Sequence, residues 1–98
     1  MNRVNIQQAA QAEAEIAAEW YEKQQSGLGI EFILEVDAAI ARAAETPEIY
    51  AMQYLEARRV LLRRFPYAIY FTYQTDTIEV FAILHQKQDT SLWQTRVS

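Results

Sequence analysis

The hydrophobic period of the chain changes once. From Gln8 to Gln25 apolar residues recur every three or four positions, whereas from Tyr67 onwards they recur every second one. The first spacing places them on one side of an α-helix, the second on alternate faces of a β-strand. In the first helix Ala9, Ala12, Ile16 and Trp20 make one row, and Ala10, Ala14, Ala17 and Tyr21 the row beside it. Glu13, Glu15, Glu19, Glu22 and Lys23 fall mostly outside this broad stripe. Alanine suits the helix because it has no side-chain rotamers to lose, and its size permits a neighbouring backbone to come close. Trp20-Tyr21 is the bulky end of the stripe and is expected in the core. Ser26-Gly27-Leu28-Gly29 interrupts the pattern, with Gly27 the expected left-handed C-cap. A second helix is predicted from Ile30 to Ala44, with Phe32, Val36, Ala39 and Ala43 in one row and Ile33, Ile40 and Ala44 in the next. Pro47 ends it, since proline has no N–H to continue the ladder. Two helices joined by a short glycine turn form an antiparallel hairpin.

The rest is read as strand. Val4 and Ile6 alternate with Arg3 and Asn5, which predicts a short edge strand at the start of the chain. Tyr50, Met52, Tyr54 and Leu55 are too apolar for a free loop and fit a further short strand. Ala57–Phe65, Tyr67–Gln74 and Thr77–His85 are rich in aromatic and β-branched residues. Pro66 marks a turn, and Gln74-Thr75-Asp76-Thr77 a hairpin loop. Ile78, Val80, Ala82 and Leu84 alternate with Glu79, Phe81, Ile83 and His85, so this strand is apolar on both sides and should be central. Asp89-Thr90-Ser91 is placed to cap a terminal turn, and Trp93 to dock on the sheet. Residues 1–98 are thus one α+β domain: a short N-terminal strand, an α-helical hairpin, and an antiparallel three- to four-stranded meander with the helices on one face. No repeat or linker interrupts it.

Charge sharpens the picture. Residues 1–48 carry nine acids and three bases, and residues 49–98 four acids and six bases, for a net charge of −4. An acidic half joined to a mildly basic half makes a two-faced molecule. The overall balance argues against direct nucleic-acid binding, which draws its affinity from phosphate neutralisation. The absence of cysteine excludes disulfides and thiolate metal sites. No window reaches the ~20 apolar residues of a membrane span, and no signal-length apolar run opens the chain. A cytoplasmic domain without cofactor or metal is expected.

Candidate chemistry is sparse. His85 is the single histidine, which excludes a multi-histidine metal site and leaves it as a strand-end side chain or a general base. Gly27-Leu28-Gly29 lacks the spacing of a phosphate loop. The denser signal is Arg58, Arg59, Arg63 and Arg64, four of the nine basic residues, followed by Phe65-Pro66. In a regular strand Arg58 and Arg64 face one side and Arg59 and Arg63 the other. Those on the helix side must pair with acids or reach the rim, because an unpaired buried charge is costly. The others are free to grip an acidic partner in bidentate fashion.

Several pieces in order resemble a known family. They are Ala17-Ala18-Glu19-Trp20-Tyr21, Gly27-Leu28-Gly29-Ile30-Glu31-Phe32, Pro47-Glu48, Arg58 through Tyr67, Val80-Phe81-Ala82-Ile83-Leu84-His85, and Asp89 through Trp93 to Arg96. Together they resemble the RelE/ParE superfamily of bacterial toxins, in its ParE-like, plasmid-stabilisation branch. The resemblance implies a toxin of a type II toxin–antitoxin module, neutralised by a cognate antitoxin. ParE-like members act by binding DNA gyrase, and RelE-like members cut messenger RNA on the ribosome. The ribonuclease pattern matches poorly here. Ala68 stands where that branch carries an arginine after Tyr67, Lys87 where it carries one after the last strand, and Trp93 where it often has a tail tyrosine.

The expectation is therefore a protein-binding toxin. Arg58, Arg59, Arg63, Arg64, Lys87, Trp93 and Arg96 are the expected contact surface. The alternatives are an endoribonuclease using Arg59, Arg63, His85 and Lys87, or a non-toxic homodimer or interaction domain of the same fold.

Overall fold

The structure is a computed structural model that describes residues 2–97. Its elements are β1 (Arg3–Ile6), α1 (Gln8–Gln24), α2 (Leu28–Glu45), a 3-10 turn at Pro47–Ile49, β2 (Met52–Tyr54), β3 (Ala57–Leu61), β4 (Tyr67–Gln74), β5 (Thr77–His85) and α3 (Ser91–Val97). The strands form one sheet in the order β1-β5-β4-β3-β2. Strands β2 to β5 make the expected antiparallel meander. The fifth strand is β1, which lies parallel to β5 with Arg3 opposite Thr77 and Ile6 opposite Val80. That pairing makes β5 internal, as its two apolar faces require.

The α1–α2 hairpin covers one face. Ala10, Ala14 and Ala17 are buried against Phe32, Val36, Ala39, Ile69, Phe71, Ile78 and Val80. The alanine row sits inward because small side chains let α1 lie close to both α2 and the sheet. The neighbouring row is turned out: Ile16 is 69% and Trp20 57% exposed. Trp20 is therefore a surface residue rather than core, and Tyr21 alone carries the aromatic contact inward. Its ring packs 4.7 Å from Phe65 and 5.2 Å from Phe32, and Phe32 lies 5.1 Å from Tyr67. Aromatic pairs at such separations add to simple burial.

At the hairpin turn Gly27 has φ +90°, a left-handed conformation. It serves as the N-cap of α2, which begins at Leu28, while α1 ends at Gln24 with Gln25 as its C-cap. The Glu22 carboxylate accepts the N–H groups of Gly27 (2.9 Å) and Gly29 (3.0 Å), placing an anion at the helix N-terminus. Gly29 is needed for contact: a Cβ there would stand 2.6 Å from the Ala18 carbonyl oxygen.

Strand β3 is shorter than its composition suggests, ending at Leu61. The Leu62 N–H donates to the Tyr67 carbonyl (3.0 Å) and the Tyr67 N–H to the Phe65 carbonyl (2.8 Å), closing a turn. Glu35 of α2 accepts the backbone N–H groups of both Arg63 and Arg64. A helix carboxylate thus takes two donors that a longer strand would have paired in the sheet.

The opposite face carries a second small core. Ala57, Ala68, Tyr70, Phe81, Ala82, Leu84 and Trp93 are buried together there. Trp93 of α3 stacks on Tyr70 at 4.4 Å and 14°. The helices therefore lie on both faces, not one. A bulge makes this arrangement work. Tyr70 is opposite Ala82 but Phe71 is opposite Val80, so Phe81 is an extra residue. It reverses the alternation, which keeps Ile83 on the hairpin side while Ala82 and Leu84 face α3.

Beyond Val80 the outer edge of β5 has no strand beside it, because β1 stops at Ile6. Two side chains take over. Glu13 of α1 accepts the Ile83 N–H (3.0 Å), and Arg96 of α3 donates to the Phe81 carbonyl (3.0 Å). They also bind each other in bidentate fashion, at 3.1 and 2.7 Å. The hydrogen bonds that Arg96 donates to Glu13 make its guanidinium hold its proton more tightly than usual.

Glu13→Ala is expected to lower stability by about 2–3 kcal/mol, since it leaves a half-buried guanidinium and the Ile83 N–H without their partner. Urea denaturation measures the loss, and amide exchange should show protection lost first in residues 91–97. At the other end of β5, Glu79 accepts from Asn5 (2.9 Å) and Gln7 (3.0 Å). The Gln7 bond, then the Asn5 bond, lowers its pKa from the usual 4.5. Its contribution to stability is thus complete above pH 4.5 and is lost as pH falls through the folded-state value. Urea midpoints at pH 7 and pH 3 should therefore differ less in Glu79→Gln than in the wild type.

Candidate functional site

At one end of the sheet two turns meet. The Leu62–Pro66 turn carries Arg63 and Arg64, and the turn after β5 carries Lys87. They are joined by the Gln86 N–H, which donates to the Pro66 carbonyl at 2.9 Å. In the ladder beside them Tyr67 stands opposite His85. α1 passes over this end and presents the row that its alanine side leaves outward. The result is a cavity of about 500 Å³ lined by Ile16, Ala17, Trp20, Tyr21, Pro66, Tyr67 and His85. A neighbouring cleft of about 270 Å³ shares Ile16, Ala17 and Tyr67 and runs on to Leu92 and the Glu13–Arg96 pair. The two form one groove along α1.

Its walls are largely apolar, with Tyr21, Tyr67 and His85 as polar groups at one end and the Glu13–Arg96 ion pair at the other. The His85 ring lies edge-on to Tyr67 at 5.3 Å, and its Nδ1 accepts the Lys87 N–H at 3.0 Å. Nδ1 is thereby occupied as an acceptor, so the neutral ring carries its proton on Nε2 and offers a donor. Burial raises the pKa of Tyr21, with the neighbouring Tyr67 adding to the effect, and burial likewise raises that of Tyr67. Both phenols thus stay protonated at neutral pH. Such a surface suits apolar side chains and hydrogen-bond acceptors.

The structure divides the seven expected contact residues. Arg63 and Lys87 extend into solvent at the sheet end, and their charged groups make no hydrogen bond or ion pair among the described residues. Arg64 is beside them, paired with Glu31 at 2.7 Å and lying over the Phe65 ring at 5.5 Å. Arg58 instead turns back to the Tyr50 carbonyl at 2.7 Å and holds the chain before β2. Arg59 is opposite Tyr70, on the α3 side of the sheet. Arg96 is engaged with Glu13 and the edge of β5. Trp93 is 4% exposed and offers no surface to a partner, because its ring is spent on Tyr70.

The four residues of the ribonuclease alternative are not assembled either. Arg59 lies on the face of the sheet opposite the Tyr67–His85 pair. Ile16 and Trp20 are surface residues, although in the sequence their row merges with the alanine row into one broad apolar stripe that does not show which side faces out. Among the described residues no group of three or more His, Cys, Asp or Glu side chains is arranged to hold a metal, and no helix is long and apolar enough to cross a membrane.

Among solved structures, the chain is similar to one of the chromosomal ParDE toxin–antitoxin system from P. aeruginosa, with TM-score 0.77 and 13% identity over 87% of this chain and 96% of that one. It is also similar to the isolated E. coli RelE toxin, with TM-score 0.58 and 11% identity over the whole of both chains. At these identities the likeness is one of fold. No curated protein sequence matches the chain. Residues 4–90, however, match the family model of the ParE toxin of the type II toxin–antitoxin system parDE. With nearly its whole length covered by that model, the chain belongs to the ParE toxin family.

Proposed function

We propose that this chain is a toxin that acts in the cytoplasm by binding protein, with DNA gyrase as its target and a cognate antitoxin as its inhibitor. The observation that carries this reading is the groove along α1. Its apolar wall includes Ile16 at 69% and Trp20 at 57% exposure, and the cations Arg63, Arg64 and Lys87 stand in the turns at its end. Burying two such side chains under a partner is worth roughly 1.5–3 kcal/mol each. The cations favour an acidic segment and speed its approach. An antitoxin segment with apolar anchors and acidic flanks has the complementary chemistry. The separation of Arg59 from His85 supports binding over RNA cleavage.

Induced expression in a bacterial host tests the reading. Growth arrest with filamentation and DNA-damage signalling is expected, together with inhibition of supercoiling by purified gyrase. Trp20→Asp combined with Arg63→Ala should weaken both effects at least tenfold while thermal stability stays within a few degrees of wild type. Rapid loss of translation with cut transcripts would instead establish the ribonuclease alternative. Unimpeded growth would leave a non-toxic interaction domain.

A further inference from the structure

One end of the groove gathers three hydrogen-bond donors that no other described residue pairs. Tyr21 of α1, Tyr67 of β4 and His85 of β5 all line the cavity of about 500 Å³. The Tyr21 and Tyr67 rings lie 6.1 Å apart, and the Tyr67 and His85 rings 5.3 Å. Burial and then the neighbouring Tyr67 raise the Tyr21 pKa, and the second effect requires the two hydroxyls, as well as the rings, to be close. Neither hydroxyl makes a hydrogen bond among the described residues. His85 spends Nδ1 on the Lys87 N–H, which leaves the Nε2–H as its free group.

The rest of the lining is apolar, from Ile16, Ala17, Trp20 and Pro66. No carboxylate, lysine or arginine lines this cavity among the described residues. Glu13 lines the neighbouring cleft and is paired with Arg96. The cations of the Leu62–Pro66 turn are partly offset, because Glu31 pairs with Arg64 and Glu35 accepts the Arg63 and Arg64 amides. Little selectivity therefore comes from charge at the rim, and the three donors decide what the cavity takes.

We propose that this cavity binds a small carboxylic acid, its carboxylate held by the Tyr21 and Tyr67 hydroxyls and the His85 Nε2–H, and its apolar body against Ile16 and Trp20. A carbonyl oxygen has two lone pairs, fewer than the donors present, whereas a carboxylate offers about four sites on two oxygens. Neutral donors suffice for one negative charge, since hydrogen bonds to an ionised acceptor are roughly twice as strong as neutral ones. A phosphate would bring a second charge with no cation in the lining to meet it. Small-ligand sites span roughly 300–1,000 Å³, so the volume suits a free acid and is more than one acidic side chain fills. The acid occupies the groove read above as a protein-binding surface, and its binding rests on that reading only in that the groove is open; neither gyrase nor growth arrest enters the test.

The probe is 3-phenylpropionate, titrated into the full chain at neutral pH. Backbone amide shifts are expected at Trp20, Tyr67 and His85, with a dissociation constant of about 1 mM or below. The neutral counterpart 3-phenylpropionamide should bind about tenfold more weakly. Tyr21→Phe and Tyr67→Phe each delete one donor and keep the ring, and each should weaken the acid about tenfold. Arg59→Ala, on the other face of the sheet, should leave binding unchanged, and melting curves verify that the variants fold. Equal affinity for acid and amide, equal affinity for wild type and Tyr67→Phe, or displacement by inorganic phosphate would overturn the proposal. So would a glutamate-bearing peptide that displaces the acid and depends on the same two hydroxyls, since the carboxylate would then belong to a protein partner. None of these outcomes bears on growth arrest, which is tested through Trp20 and Arg63.

Discussion

The structure depends on how the outer edge of β5 is completed. An exposed strand edge presents unpaired backbone groups, and β1 covers only the first half of this one. Glu13 and Arg96 supply the remaining partners from two different helices. They act as a substitute for a strand while also neutralising each other. The bulge at Phe81 makes the same stretch serve two cores, by sending Ile83 to the hairpin and Ala82 and Leu84 to α3. The first helix, the last helix and the middle of the sheet are therefore bound into a single unit through one residue triplet.

Much of this was legible in the amino-acid sequence. The helical hairpin, the meander and the central position of Thr77–His85 follow from spacing alone, because period 3.6 and period 2 are hard to confuse over eight residues or more. The boundaries that failed did so for tertiary reasons. Ala57–Phe65 reads as one strand, yet Glu35, from a helix far away in sequence, claims the Arg63 and Arg64 amides. The alternation of β5 is likewise interrupted at Phe81, where no proline or glycine signals a bulge. A parallel partner for Arg3–Ile6 leaves no local trace, as it depends on where the hairpin returns the chain.

The site was harder to see. The arginine cluster is conspicuous in one dimension, but in space its members separate into a rim, a brace and a contact on the far face. Arg58 and Arg96 are held by backbone carbonyls, a use that composition does not distinguish from partner binding. Conversely, Ile16 and Trp20 look like core in a helix whose apolar stripe is wide. Alanine resolves the ambiguity in favour of the thinner side: the row that packs closest faces inward, and the heavy row is left for others.

The pairing of Glu13 with Arg96 spans 83 positions, and that of Asn5 with Glu79 spans 74. Contacts of such long range must wait for chain closure and slow folding. They also set an order during synthesis. A chain that has emerged from the ribosome as far as His85 can form its hairpin and most of its sheet, but the Phe81 carbonyl still lacks its donor and the Tyr70 face its cover. Only when Arg96 has emerged as well is the strand edge closed. Until then the growing polypeptide is an unfinished object with a sticky margin, and its last turn of helix works as a clasp that completes the toxin fold.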